Sequence, residues 1–155
     1  MLDSTEENTA MTKIEPWHIL IVDDESLIHD ITRMALEDIE FNDKTLAFDS
    51  AYSAKEAMAK LSQGKEYAVV LLDVVMETLD AGFDVVKHLR GELGNTATRI
   101  IMRTGQPGDM AEEQAVRDYG ISDYRLKSEL TVQKLKLVMY SNLRTYSEMK
   151  QAGQS

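Results

Sequence analysis

Short apolar runs recur along the chain, each broken off by charged or turn residues and followed by an amphipathic stretch of helix length. "WHILIVDD" (Trp17 to Asp24), "KTLAFDS" (Lys44 to Ser50), "YAVVLLDV" (Tyr67 to Val74), "RIIMRTG" (Arg99 to Gly105) and "SDYRLK" (Ser122 to Lys127) read as strands. Parallel strands need crossover helices and are buried on both faces. Five near-continuous apolar runs alternating with helices therefore predict an α/β fold, a doubly wound five-stranded parallel sheet with helices on both faces. A chain of 155 residues fits one such domain, and no repeat, low-complexity segment or linker divides it.

The first helix is expected over Ser26 to Ile39, with Leu27, Ile31, Met34 and Ala35 on its buried face. The second, "SAKEAMAKL", opens with Ser53 as N-cap and Glu56 three residues on, a capping box, and stops near Gly64. The third, about Phe83 to Leu93, turns Val85, Val86 and Leu89 inward. The fourth starts after Pro107-Gly108 with Asp109 as N-cap and ends at Gly120. The last spans Leu130 to Met149 with a stripe of Leu135, Val138, Met139 and Leu143. Met34, Met58, Met76 and Met102 read as core filler. His18, His29 and His88 lack metal-ligand spacing and read as surface or partly buried side chains.

Lys+Arg of 17 against Asp+Glu of 27 gives a formal charge of −10, which disfavours nucleic acid and anionic membrane surfaces as direct partners and favours a divalent cation. The absence of cysteine excludes a disulfide framework and thiolate metal sites, and suits a reducing, cytoplasmic setting. The polar, acidic N-terminus has no apolar signal region, and no run approaches a membrane span. Residues 1–15 and 150–155 are expected to be tails around a domain of residues 16–149.

The stretch "VVLLDVV" (Val69 to Val75) sets one aspartate, Asp73, inside an otherwise apolar run. An ionised carboxylate in an apolar interior costs several kcal/mol or more without partners, so the strand must end there or partners must converge on it. In an open parallel sheet, ligands bind outside the carboxyl ends of the strands. Strand one ends in Asp23-Asp24, strand three in Asp73, strand four in Thr104-Gly105 and strand five in Lys127, so all four bring chemistry to one edge. Clustered carboxylates repel unless a cation intervenes, and Mg²⁺ accepts oxygen ligands while keeping open positions. Asp23, Asp24 and Asp73, with the Val75 carbonyl, form a plausible partial shell. Asp73 then offers a nucleophilic oxygen towards a phosphoryl donor, with Thr104 as hydroxyl donor and Lys127 as point charge.

From roughly Trp17 to Tyr146 these residues resemble the receiver domain of bacterial two-component response regulators. The resemblance implies the flavodoxin-like strand order 2-1-3-4-5, Asp23 and Asp24 as magnesium-site acids and Asp73 as phosphoacceptor. It further implies Thr104 as the hydroxyl that follows the phosphoryl group, Lys127 as its counter-charge and Tyr124 as the switch aromatic. The family's usual proline after the lysine, in a cis peptide, is replaced by Ser128, and the loop "VVMETLDAGFD" lacks the usual proline after the phosphoacceptor. "LLDVVMETLDAG" and "RTGQPG" resemble receivers that precede outputs hydrolysing cyclic di-GMP.

The implied partners are a sensor histidine kinase or phosphotransfer protein and a downstream protein or fused output domain. A homodimer through helix four, strand five and helix five is a further expectation, in which Asp109, Glu112 and Glu113 would meet Lys134 or Arg144 of another copy. Chemistry would be limited to Mg²⁺-dependent self-phosphorylation and autodephosphorylation. A degenerate receiver acting only by binding, an aspartyl-nucleophile phosphatase and a flavin binder are the alternatives. Val75 stands two residues after Asp73, where the phosphatase needs a general acid, and Asp23-Asp24 would repel a flavin phosphate.

Overall fold

The structure, a computed structural model, describes residues 14–105 and 111–154. Strands β1 (Trp17–Val22), β2 (Glu40–Phe41), β3 (Lys44–Ala51), β4 (Val69–Asp73), β5 (Arg99–Thr104) and β6 (Asp123–Leu126) form one sheet in the order β2-β3-β1-β4-β5-β6. The five longer strands are all parallel and follow the expected order, with β4 central among them. The sixth, β2, was not expected. It pairs antiparallel with β3 across Asn42 and Asp43, whose φ angles of 50° and 63° suit the left-handed turn of a two-residue hairpin. Two residues are too few to show a periodicity.

Helices α1 (Ser26–Leu36), α2 (Ala54–Leu61), α3 (Ala81–Lys87), α4 (Ala111–Tyr119) and α5 (Val132–Gln154) connect and flank the strands, and α3 runs on through a π-helical turn over His88–Glu92. Because successive strand residues point to opposite faces, the core splits into two layers. Leu20, Val22, Val70, Leu72, Ile100 and Met102 pack with residues of α2 and α3, among them Ala57, Leu61, Val85, Val86 and Leu89. Ile19, Ile21, Val69, Leu71 and Ile101 pack with Leu36 of α1 and with Leu135, Met139 and Leu143 of α5. Full burial of each large apolar side chain contributes about 1.5–3 kcal/mol.

Helix α1 does not bury the expected face. Leu27, Ile31 and Met34 are exposed, while His29, Thr32, Ala35 and Leu36 face inward. Polar bonds set this phase. His29 Nε2 donates to the Asp23 carbonyl at 2.8 Å, its Nδ1 meets Ser50 Oγ at 2.8 Å, and Thr32 Oγ1 accepts from Arg103 at 2.9 Å. His29 is thus a core residue rather than a surface one, and Met34 is not core filler.

Ser53 caps α2 as expected, its hydroxyl accepting from Glu56 N at 3.0 Å, but Glu56 reaches back to Tyr52 N at 3.3 Å rather than to Ser53. A second carboxylate completes this terminus: Glu77, in the loop after β4, accepts from Ala54 N at 2.9 Å and Lys55 N at 3.3 Å. That anchor ties the proline-free loop to α2. Helix α5 continues past the expected end at Met149, so residues 150–154 extend the helix instead of forming a tail, and Lys150 lies 3.3 Å from Glu66. Residues 1–13 and Asp109 lie outside the described residues.

Candidate functional site

Asp23, directly after β1, is fully buried, and its Oδ1 accepts from Glu25 N at 2.9 Å. Asp73, the last residue of β4, is also buried. Between them stands Lys127, which follows β6: its Nζ lies 3.1 Å from Asp23 Oδ2 and 3.3 Å from Asp73 Oδ2, with Glu25 Oε1 at 3.9 Å. Three strand ends distant in sequence therefore place two carboxylates around one ammonium. Lys127 opens a 3-10 turn over Lys127–Glu129, and Glu129 Oε1 accepts from Leu126 N at 3.0 Å. This bond shapes the loop where the family's proline would stand. No cis peptide occurs among the described residues.

The electrostatics follow from burial and crowding. Burial, the charge of Asp23 and, less strongly, that of Asp24 push the Asp73 pKa up to about 6, against the pull of Lys127. Burial alone would lower the Lys127 pKa, but Asp73 and Asp23 outweigh it, so the ammonium is held above its ordinary value.

Asp24 is exposed beside this pair, and Thr104, the last residue of β5, is buried one position beyond Arg103, the residue in register with Asp73. Val75 is 41% exposed at the start of the loop. Tyr124 pairs with Met102 across β5 and β6 and packs half-buried against the apolar layer on the α2–α3 side.

Sequence reasoning missed two members of this edge. Glu25 extends the acidic pair to a triplet, and one oxygen each from Asp23, Asp24 and Glu25 lie within 4.8 Å of one another. The run of three acids was its only signal. Arg103 was read as an ordinary strand residue, yet it is buried in register with Asp73. The oxygen-only donor set suits Mg²⁺, and the buried Asp23 Oδ2 faces the open edge with the Lys127 ammonium 3.1 Å away. The residues fit such an ion, with Glu25 joining the expected Asp23 and Asp24.

A flavodoxin-like sheet whose strand ends gather carboxylates and a lysine at one edge defines a CheY-like receiver fold. The chain belongs to the response regulator receiver domain family, whose model matches residues 19–139. It is 42% identical over 143 residues to 3'3'-cGAMP-specific phosphodiesterase 2 of Vibrio cholerae serotype O1, a match covering 92% of this chain and 27% of that protein. It is 36% identical over 109 residues to the transcriptional regulatory protein ResD of Bacillus subtilis, covering 70% of this chain and 41% of that one. The chain thus spans well under half the length of both relatives.

Among solved structures, the CheY-like receiver domain protein from Methanospirillum hungatei JF-1 superposes with a TM-score of 0.70 at 21% identity, over 87% of this chain and 99% of that one. The signal receiver domain of an HD domain-containing protein from Pseudomonas fluorescens Pf-5 gives 0.69 at 22% identity, over 86% and 99%. These likenesses concern the fold.

Proposed function

We propose that Asp73 accepts a phosphoryl group from the phosphohistidine of a sensor kinase or phosphotransfer protein, and that the phosphorylated domain switches a partner-binding face. The observation that carries this reading is the Lys127 ammonium, 3.3 Å from Asp73 and 3.1 Å from Asp23, at the open edge of the sheet. A carboxylate oxygen of Asp73 attacks phosphorus and the phosphorus–nitrogen bond of the donor breaks. The product is an acyl phosphate on Asp73 and a free imidazole on the donor. Lys127 steadies the incoming oxygens, and Thr104 donates a hydroxyl hydrogen bond to them.

Asp23, Asp24 and Asp73, with the Val75 carbonyl and with Glu25 beside them, would hold Mg²⁺, which when bound supplies charge neutralisation for the transferring phosphoryl group. Tyr124 is the switch aromatic, and the face it serves is built by α4, β6 and α5. Homodimerisation through that face belongs to the same proposal. The receiver unit comprises residues 16–149, with α5 continuing beyond it.

The likeness to a cyclic dinucleotide phosphodiesterase makes a hydrolase of that class the favoured output, whether fused or separate. Turnover by the receiver is limited to its own phosphorylation and dephosphorylation, since Val75 cannot serve as general acid. The cytoplasm is the setting where such donors occur. Among the described residues no helix is long and apolar enough to cross a membrane. Incubation with acetyl phosphate and Mg²⁺ should add one phosphoryl mass to the wild type and none to Asp73→Asn. An unchanged wild-type mass across several small phosphodonors would falsify the reading.

A further inference from the structure

Arg103 has no role in the transfer just described. It is the β5 residue in register with Asp73 and is only 5% exposed. Its Nη1 donates to Thr32 Oγ1 at 2.9 Å, while the buried Nε and Nη2 have no hydrogen-bond partner. A guanidinium stays charged and carries five donors, so burying it against one hydroxyl is costly unless opposite charge lies near. No carboxylate among the described residues forms an ion pair with it, but two act on it through the interior. Burial pushes the Arg103 pKa down, and the charges of Asp23 and Asp73 push it back. An apolar side chain would fill this site between β5 and α1 without the desolvation cost.

The charges balance. Asp23 and Asp73 place two negative charges below the surface, and Lys127 and Arg103 supply two positive ones. Lys127 sits on a turn at the solvent edge, whereas Arg103 is pinned from behind by α1. We propose that Arg103 is a fixed internal counter-cation of the site, a positioning residue that acts through Asp73 and Asp23. The inference rests on Asp73 being the phosphoacceptor.

Its consequences for two ligands have opposite signs. A permanent positive charge opposes uptake of a divalent cation by Asp23, Asp24, Asp73 and the neighbouring Glu25. The same charge favours an anionic group on Asp73. A merely structural arginine would move both affinities the same way or neither.

The test measures Mg²⁺ binding by calorimetry, and beryllofluoride binding at saturating Mg²⁺, in the full chain. Arg103→Met should tighten Mg²⁺ about threefold to tenfold and weaken beryllofluoride by about the same factor, as expected for removing one charge at an intermediate effective dielectric. Arg103→Lys, which keeps the charge, should return both affinities to within about twofold of wild type. Should Arg103→Met fail to fold, Arg103→Gln retains a donor for Thr32 without the charge and carries the same pair of expectations. Affinities that fall together, or that stay unchanged in the uncharged variants, overturn the assignment. A wild-type protein that takes up neither ligand instead overturns the reading of Asp73 itself.

Discussion

Gly82, at the start of α3, backs onto the strand end that carries Asp73 so closely that an added Cβ would overlap the Asp73 carbonyl oxygen and stand 2.9 Å from Val74 Cα. Gly82 N also donates to Val74 O at 2.9 Å, locking helix and strand end together. Both obstructing groups are backbone and cannot swing aside. Ala in a helix is ordinarily worth up to ~1 kcal/mol over Gly, but overpacking costs roughly 1–3 kcal/mol and here displaces the phosphoacceptor. Gly82→Ala should therefore lower the melting temperature and slow phosphorylation from acetyl phosphate. A variant as stable and as fast as wild type would refute the close-packing argument.

The raised pKa of Asp73 makes stability depend on pH in a stated direction. A carboxyl whose folded value stands at about 6, above the ~3.9 of an unfolded chain, binds its proton more tightly when folded. Its charge therefore costs stability progressively as pH rises from about 4 through about 6, and the cost is constant above. Asp73→Asn removes that cost. At ~1.4 kcal/mol per pKa step of one, the ceiling is roughly 3 kcal/mol, and screening brings the expectation to ~1–2 kcal/mol. In EDTA at pH 8, Asp73→Asn should be the more stable protein, and the gap should close below about pH 4. Added Mg²⁺ should stabilise the wild type more than the variant. Thermal melts at three pH values with and without the metal decide it.

The sheet and its acidic edge were legible because burial on both faces writes parallel strands as apolar runs, and the residues ending those runs stand out as charges. Asp23, Asp73 and Lys127 fell together for that reason. Helix α1 was misread for the complementary reason: its packing face includes His29 and Thr32, whose polarity suggests solvent but whose partners, the Asp23 carbonyl, Ser50 and Arg103, are all brought by other segments. Leu27, Ile31 and Met34 carry the apolar spacing of a core stripe and yet remain outside. Arg103 escaped notice because a single cation at the end of "RIIMR" cannot be told from a surface residue until α1 is laid across it. The hairpin at Asn42-Asp43 was signalled only by its turn residues, since β2 is two residues long.

Glu77 links the loop after Asp73 to the first turn of α2 by accepting from two backbone N–H groups that the helix itself cannot satisfy. Burial would raise its pKa, but those bonds outweigh it and hold the carboxyl below its ordinary value. Removing such a cap typically costs ~1 kcal/mol. Glu77→Ala should show that loss in chemical denaturation, and amide exchange should quicken at Ala54 and Lys55. Unchanged exchange at those two amides would count against the anchor. The Glu56 amide, which donates to the Ser53 hydroxyl instead, should stay protected.

Away from the site, Tyr67 and Asp49 give a second pH signature of opposite sign to that of Asp73. Tyr67 Oη donates to Asp49 Oδ2 at 2.6 Å, and Lys65 Nζ lies 2.9 Å from the same oxygen. Burial pushes the Asp49 pKa up, but these two donors outweigh it and hold the carboxyl below its ordinary value. A depressed carboxyl contributes stability that is present above its unfolded value of ~3.9 and lost as pH falls through the folded one. The Tyr67 phenol is raised by burial and by Asp49, so its share is present below ~10 and lost as pH rises beyond. Tyr67→Phe should accordingly cost about 1 kcal/mol at pH 7, the net worth of one such bond to a charged, partly exposed acceptor. The difference from wild type should shrink as pH falls below the ~3.9 of an unfolded carboxyl and as it rises above about 10. Urea titrations across that range test it, and a cost that stays the same at both extremes would show that the phenol ring's packing, not its hydrogen bond, is what Tyr67 contributes.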